Sequence, residues 1–100
     1  MAKLSKEQIA VRLKAVPDWS LNKHKEAMDT ISRTYQFKGF PEGIQFVVLI
    51  AADAEEMDHH PDIDIRYDKV TLALSTHSEK GLTENDFKLA GKGDQIFARV

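Results

Sequence analysis

The chain contains no cysteine. That excludes disulfides, thiol catalysis and thiolate metal sites, and it fits a cytoplasmic setting. Long hydrophobic runs are missing too. The longest wholly apolar stretch, Phe46–Ala52, falls far short of the roughly 20 residues needed to span a bilayer. The start, Met1-Ala2-Lys3-Leu4-Ser5-Lys6, lacks the apolar core of a signal peptide. The default is therefore a cytosolic protein with no membrane partner. There is little excess of either charge: the formal net charge is -2. No basic face is implied, and direct contact with nucleic acid is not expected. Repeats, low-complexity tracts and linker-like stretches are also absent.

The remainder reads as an ordinary globular chain. One hundred residues, 42% of them hydrophobic, make one domain over residues 1–100. A chain of this size buries roughly two-thirds of its extended surface in one modest core. Ser5-Lys6-Glu7-Gln8 fits a capping box, with Leu4 and Ile9 at the staple positions. It opens a first helix from Ser5 to about Ala15, which Pro17 stops. Trp19 and Leu21 alternate with polar neighbours as a short strand. Asn22-Lys23-His24-Lys25 reads as a turn, with His24 an exposed histidine without a role. From Ala27 to Lys38, Ile31, Tyr35 and Phe37 fall on one side of a strand, and Thr30, Ser32, Thr34 and Gln36 on the other.

Gly39 breaks that strand, and Pro41 with Glu42 opens a second helix. Pro61 disfavours helical geometry at His60, so this helix runs to about His59. Its centre, Phe46–Ala52, is apolar on all sides, whereas a helix on a small sheet needs one apolar stripe. A second copy of the chain is expected to cover the outer side. Asp62–Tyr67 and Val70–Ser75 alternate strictly and read as a hairpin, with Asp68-Lys69 as its loop. Thr83 as cap, Asp86 three residues on, and Leu82 against Phe87 open a third helix, reaching about Phe97. The order α-β-β-α-β-β-α predicts an α+β fold: a four-stranded antiparallel sheet with three helices on one face.

Chemistry concentrates in Glu55-Glu56-Met57-Asp58-His59-His60-Pro61-Asp62, with His77 in Thr76-His77-Ser78. On a continuous helix Glu55 and His59 share a face. If helix end and strand end meet, three imidazoles and a carboxylate converge. Imidazole is the side chain that titrates near neutrality. Four uses compete: local capping, a metal site, metal-free acid–base catalysis, and a binding module without chemistry. A metal site built on Glu55, His59 and His77 is weak. There is no His-Glu-x-x-His pattern, and adjacent histidines diverge. Ser75 and Ser78 flank His77 without a strained nucleophile turn.

The series Glu55-x-x-x-His59-His60-Pro61, Tyr67, Ser75-Thr76-His77, Gly81-Leu82-Thr83 and Asp86 resembles the pterin-4a-carbinolamine dehydratase family over nearly the whole chain. The resemblance implies the same sheet-and-helix fold and a homodimer or homotetramer, in some members through the second helix. It implies dehydration of a 4a-hydroxytetrahydropterin to a quinonoid dihydropterin, the step that recycles tetrahydrobiopterin for aromatic amino acid hydroxylases. His59 and His77 resemble the proton-transferring pair, and His60 a substrate-binding histidine that shares the role. Glu55 resembles a contact to the pterin ring. Pro61, Ser75 and Thr76 belong to the same pocket, and Asp86 resembles the acid that orients a site histidine. Ile63 stands where many relatives carry an aromatic residue, so apolar contact replaces ring stacking there. Water is the leaving group, so the reaction calls for no metal and no cofactor. The alternative is a non-catalytic module, because some members bind a transcription factor or serve enzyme assembly.

Overall fold

The computed structural model describes residues 2–100. The chain runs α1 (Lys6–Leu13), β1 (Ser20–Asn22), β2 (Thr30–Gln36), α2 (Phe40–Met57), β3 (Asp62–Arg66), β4 (Lys69–Leu74), a single 3₁₀ turn (His77–Glu79) and α3 (Glu84–Phe97). The strands form one antiparallel sheet in the spatial order β1-β2-β4-β3. This is the α+β fold expected from the alternating stretches.

Period-two patterning builds the two central strands. On β2 and β4, Ile31 lies opposite Leu74 and Tyr35 opposite Val70. All four are essentially sealed from solvent, as is Leu72 between them. Phe46, Ile50 and Ala54 of α2 and Leu89, Ala90 and Ile96 of α3 complete this core. The other face of the sheet is polar and wetter. There Thr34 and Thr71 share a hydroxyl hydrogen bond of 2.7 Å, and Asn22 Nδ2 donates to Ser32 Oγ at 2.8 Å. The capping box at Ser5 and Gln8 is present, and the staple residues Leu4 and Ile9 are both buried.

Arg33 falls on the apolar side of β2, where alternation alone gives it no place. Asp94 of α3 supplies the reason. Its Oδ1 accepts from Arg33 Nη1 at 2.8 Å, Tyr35 Oη at 2.6 Å and Trp19 Nε1 at 3.0 Å. The Arg33 guanidinium also lies over the Tyr35 ring, 4.3 Å from its centroid. Burial, and then the hydrogen bond to Asp94 and its negative charge, push the Tyr35 pKa well up. An unfolded tyrosine ionises near pH ~10. Because the folded-state value is the raised one, this contribution to stability is whole below about pH 10 and is lost as pH rises past it.

Several boundaries differ from expectation. After Leu13, i→i−3 bonds such as Ala15 N–H to Arg12 O tighten the end of α1. The second strand begins at Thr30 rather than Ala27. Arg66 pairs with Lys69, so the hairpin loop is Tyr67-Asp68, one residue earlier than Asp68-Lys69. Tyr67 takes positive φ (54°) there, as the first position of a primed turn requires. β4 stops at Leu74, and His77 opens the 3₁₀ turn instead of ending the strand.

Two glycines of α3 have opposite meanings. A Cβ on Gly91 would meet nothing within 4 Å, whereas one on Gly93 would stand 2.9 Å from Tyr35 Oη, an atom already held by Asp94. Gly91→Ala is therefore expected to stabilise the fold by up to about 1 kcal/mol. Gly93→Ala should destabilise it by about 1–3 kcal/mol through overpacking. Chemical denaturation of the two variants measures both. A shift of the same sign in both would contradict the packing described here.

Candidate active site

The site begins where α2 stops. Asp58 adopts the left-handed conformation (φ 50°, ψ 45°), which Asp tolerates better than most residues. Its N–H donates to Glu55 O at 3.1 Å, and the N–H of His59 reaches back to Ala54 O at 3.0 Å. These bonds close the helix in a Schellman motif, so His59 lies outside it. The expectation that Glu55 and His59 share a helical face fails for this reason. Glu55 Oε1 instead meets His60 Nε2 at 2.8 Å on the exposed side. The adjacent histidines diverge: His60 is out in solvent, and His59 is buried.

His59 turns inward onto Asp86. Its Nε2–H donates to Asp86 Oδ1 at 2.6 Å. The other carboxylate oxygen accepts from Thr76 Oγ1 at 2.8 Å and from the Thr83 amide at 2.9 Å. Because the Thr76 proton is committed to Asp86, the Thr83 hydroxyl donates to Thr76 Oγ1 at 2.8 Å. Asp86, Thr83, Thr76 and His59 are all buried, Asp86 completely. A carboxylate so far from water needs partners, and here both oxygens are used. Asp86 also lies in the first turn of α3, where the helix dipole favours negative charge.

As a carboxylate, Asp86 only accepts, so the proton of His59 sits on Nε2 and Nδ1 is left as the free ring nitrogen. Among the described residues no buried side-chain nitrogen or oxygen lacks a partner, and Nδ1 has no protein partner, so Nδ1 reaches solvent. His59 also borders a cleft of about 240 Å³. His59, His60 and Asp58 line it from the end of α2, and Ser75, Thr76, His77 and Ser78 from beyond β4. Thr76 and Gly81 pair across the 3₁₀ turn, with Thr76 N–H to Gly81 O at 2.8 Å, and this closes the loop that carries His77. His77 is exposed.

The cleft thus gathers the three histidines with Ser75 and Thr76, while Asp86 stands behind His59. Glu55 is connected only through His60. Pro61 and Ile63 do not line the cleft; Ile63 lies on edge strand β3, more than a third exposed. Among the described residues, no three His, Asp or Glu side chains gather as metal ligands would. Sequence reasoning missed Thr83 as part of the buried network and Asp58 as the residue that releases His59 from the helix. Thr83 was visible as a cap. Its hydroxyl bond to Thr76 depends on two segments meeting in space, which no local pattern shows.

A histidine bonded to a buried acid, beside two further histidines, sets the context for the comparison of whole sequences. The sequence pattern defining the family described as pterin 4 alpha carbinolamine dehydratase matches residues 2–96. The chain belongs to that family. Among its relatives, a protein of Chloroflexus aggregans provisionally named a pterin-4-alpha-carbinolamine dehydratase is 49% identical over 96 residues, covering 96% of this chain and 98% of its own. A Sulfolobus acidocaldarius protein with the same provisional name is 45% identical, covering 94% of this chain and 98% of its own. The crystal structure of a transcriptional coactivator/pterin dehydratase from Brucella melitensis superposes with a TM-score of 0.87 at 35% identity, covering 94% of this chain and 97% of that one. A pterin dehydratase-like RuBisCO assembly factor of the alpha-carboxysome shares the fold alone, with a TM-score of 0.68 at 20% identity over 80% of this chain and 89% of its own.

The dehydratase-family cleft makes a spectroscopic prediction. At a pH where His59 is neutral, ring ¹⁵N shifts should report the Nε2–H tautomer. Asp86→Ala should abolish that preference and cost on the order of 3 kcal/mol in denaturation experiments, because three buried donors lose their acceptor. An Nδ1–H tautomer in the unaltered protein would contradict the Asp86 pairing.

Proposed function

We propose that this chain, acting as one domain in the cytoplasm, dehydrates a pterin-4a-carbinolamine to the quinonoid dihydropterin, in recycling of the tetrahydropterin that serves aromatic amino acid hydroxylation. The observation that carries this reading is His59. Its Nε2 is committed to a sealed carboxylate, and its ring borders a cleft that two other histidines also line.

In the reaction the C4a–O bond breaks and the oxygen leaves as water, while the neighbouring ring nitrogen gives up its proton. A base must take that proton and an acid must supply one to the departing hydroxyl. In this reading neutral His59 is the base, through Nδ1, and Asp86 stabilises the imidazolium that forms, as buried acids do for catalytic histidines elsewhere. His77, from the other wall, is the acid. His60, with Glu55 behind it, binds the substrate, and Ser75 and Thr76 complete the pocket. Pro61 fixes the extended exit that separates the two histidines. Ile63 offers apolar contact only if a second copy or the substrate approaches the edge strand.

His59→Ala and His77→Ala are each expected to lower kcat by something like 10²–10⁴-fold, the usual worth of a positioned acid or base. The double variant should lose less than the product, because the two act as a unit. His60→Ala should raise KM more than it lowers kcat, and His24→Ala, in an exposed loop, should do nothing. Rates are read as quinonoid formation from enzymatically generated carbinolamine, above the spontaneous background. Unchanged kcat in folded His59→Ala and His77→Ala proteins would remove the catalytic reading and leave a binding or assembly module.

Self-association belongs to the same proposal. The outer side of α2 leaves Val48 64% and Leu49 39% exposed, with Ala51 and Ala52 beside them. An apolar stripe of this kind marks an interaction surface. Sedimentation at micromolar concentration should show a dimer or tetramer, and Val48→Asp should shift it to a smaller species. A monomer in the unaltered protein would sink the idea.

A further inference from the structure

A second cleft, of about 330 Å³, lies beside the loop that carries His77 and takes no part in the histidine chemistry. Lys3, Lys6, Lys23 and Lys80 come to its lining from four places in the chain: the N-terminal segment, the start of α1, the loop after β1 and the end of the 3₁₀ turn. Among the described residues, none of the four is within ion-pair distance of a carboxylate. Asp29 is the single acidic residue lining the cleft. Four positive charges less one negative leave +3 at this spot, on a chain whose net charge is -2. The floor is apolar: Leu4, Ile9 and Leu82 are buried, and Leu21 and Met28 are partly so.

Two of these lysines are held by backbone and packing. The aliphatic stem of Lys3 lies across Gly81, where an added Cβ would stand 2.6 Å from Lys3 Cε. Lys80 takes positive φ (55°) as it leaves the 3₁₀ turn. Unpaired like charges around an apolar floor repel one another and focus a positive potential that an anion relieves. An apolar floor with a cationic rim fits an organic anion whose body is uncharged.

The cleft also connects to the histidines. A shallow groove shares Ala27, Met28 and Lys80 with it and shares His77 with the histidine cleft; Lys25 and Glu26, of opposite charge, complete its lining and leave the excess of positive charge at the lysine end. Shared lining residues set the three openings side by side, as a stepwise trough past His77. We propose that this trough takes the ring substituent of the pterin substrate, and that the substituent ends in an anion, a phosphate or a carboxylate, bound by Lys3, Lys23 and Lys80. The proposal rests on the dehydratase reading for the ring end of the ligand.

The test uses pterins that differ only in the end of the C6 substituent: a hydroxyl, a phosphate monoester or a carboxylate. Their oxidised, unreactive forms are titrated by fluorescence, and the matching carbinolamines are assayed for dehydration. An anionic form should bind at least about tenfold tighter than the neutral one at low salt, a gap that narrows as ionic strength rises. The anion with the larger preference identifies the group. The double variant Lys23→Gln/Lys80→Gln and, separately, Lys3→Met, which keeps the packed stem, should each pull that ratio toward one. The change should appear in KM rather than kcat, because the lysines hold ground state and transition state alike. Equal binding of all three pterins by the unaltered protein would overturn the proposal, as would a preference untouched by the lysine variants. Absence of turnover with every carbinolamine would instead sink the dehydratase reading, and the fluorescence ratio would still decide the lysine cleft.

Discussion

The Asp86 carboxylate is the interaction on which the rest of the site depends. It joins three separate parts of the chain: the exit of α2 through His59, the segment after β4 through Thr76, and the start of α3 through Thr83. A fully buried carboxylate is tolerable only when both of its oxygens find donors, and here the three donors are also the parts that must be aligned. The bond that lowers the cost of burying Asp86 is the same bond that sets which nitrogen of His59 carries the proton. Stability and the tautomer of His59 are therefore coupled through one side chain.

A second carboxylate does comparable work two turns further along α3. Asp94 gathers Trp19 from before β1 and Arg33 and Tyr35 from β2. The helix is thus tied to the sheet near its start and near its end by specific polar contacts, with Leu89 and Ala90 packed between them. Hydrophobic burial alone would let a helix slide or rotate on a sheet at modest cost. Two multidentate acceptors forbid that, and this restraint keeps the Thr83–Asp86 turn beneath His59.

Much of this was legible in the sequence. Alternation around Ile31 and Tyr35, and again around Val70 and Leu72, marked the central strands, and caps at Ser5 and Thr83 marked two helix starts. These signals are local, and local patterns survive translation into structure. The histidine series and its family resemblance pointed to residues that line one cleft, yet the geometry at its centre was misread. Glu55 and His59 have helical spacing, but Asp58 leaves the helix in the left-handed conformation, which residue spacing does not encode. Arg33 sits on an apolar face because of a partner far along the chain, and Tyr67 enters a turn that glycine usually fills. Contacts between distant segments, and single residues in uncommon backbone states, are what one-dimensional patterns omit.

The way α2 ends has a consequence for the tolerance of this fold to insertion and deletion. Each added residue turns everything beyond it by about 100° around the helix axis. Upstream, Phe46, Ile50 and Ala54 pin one side of the helix to the core, so a change of length after Ala54 would fall entirely on the exit. A one-residue change in length between Ala54 and Asp58 would send His59 toward water and carry a different side chain against Asp86. The segment between β1 and β2, exposed over Lys23–Ala27, has no such partner to miss. Length variation in that loop therefore leaves the core and the histidine cleft in place and touches only the proposed lysine trough, whereas the span from Phe46 to His59 behaves as a ruler of set length.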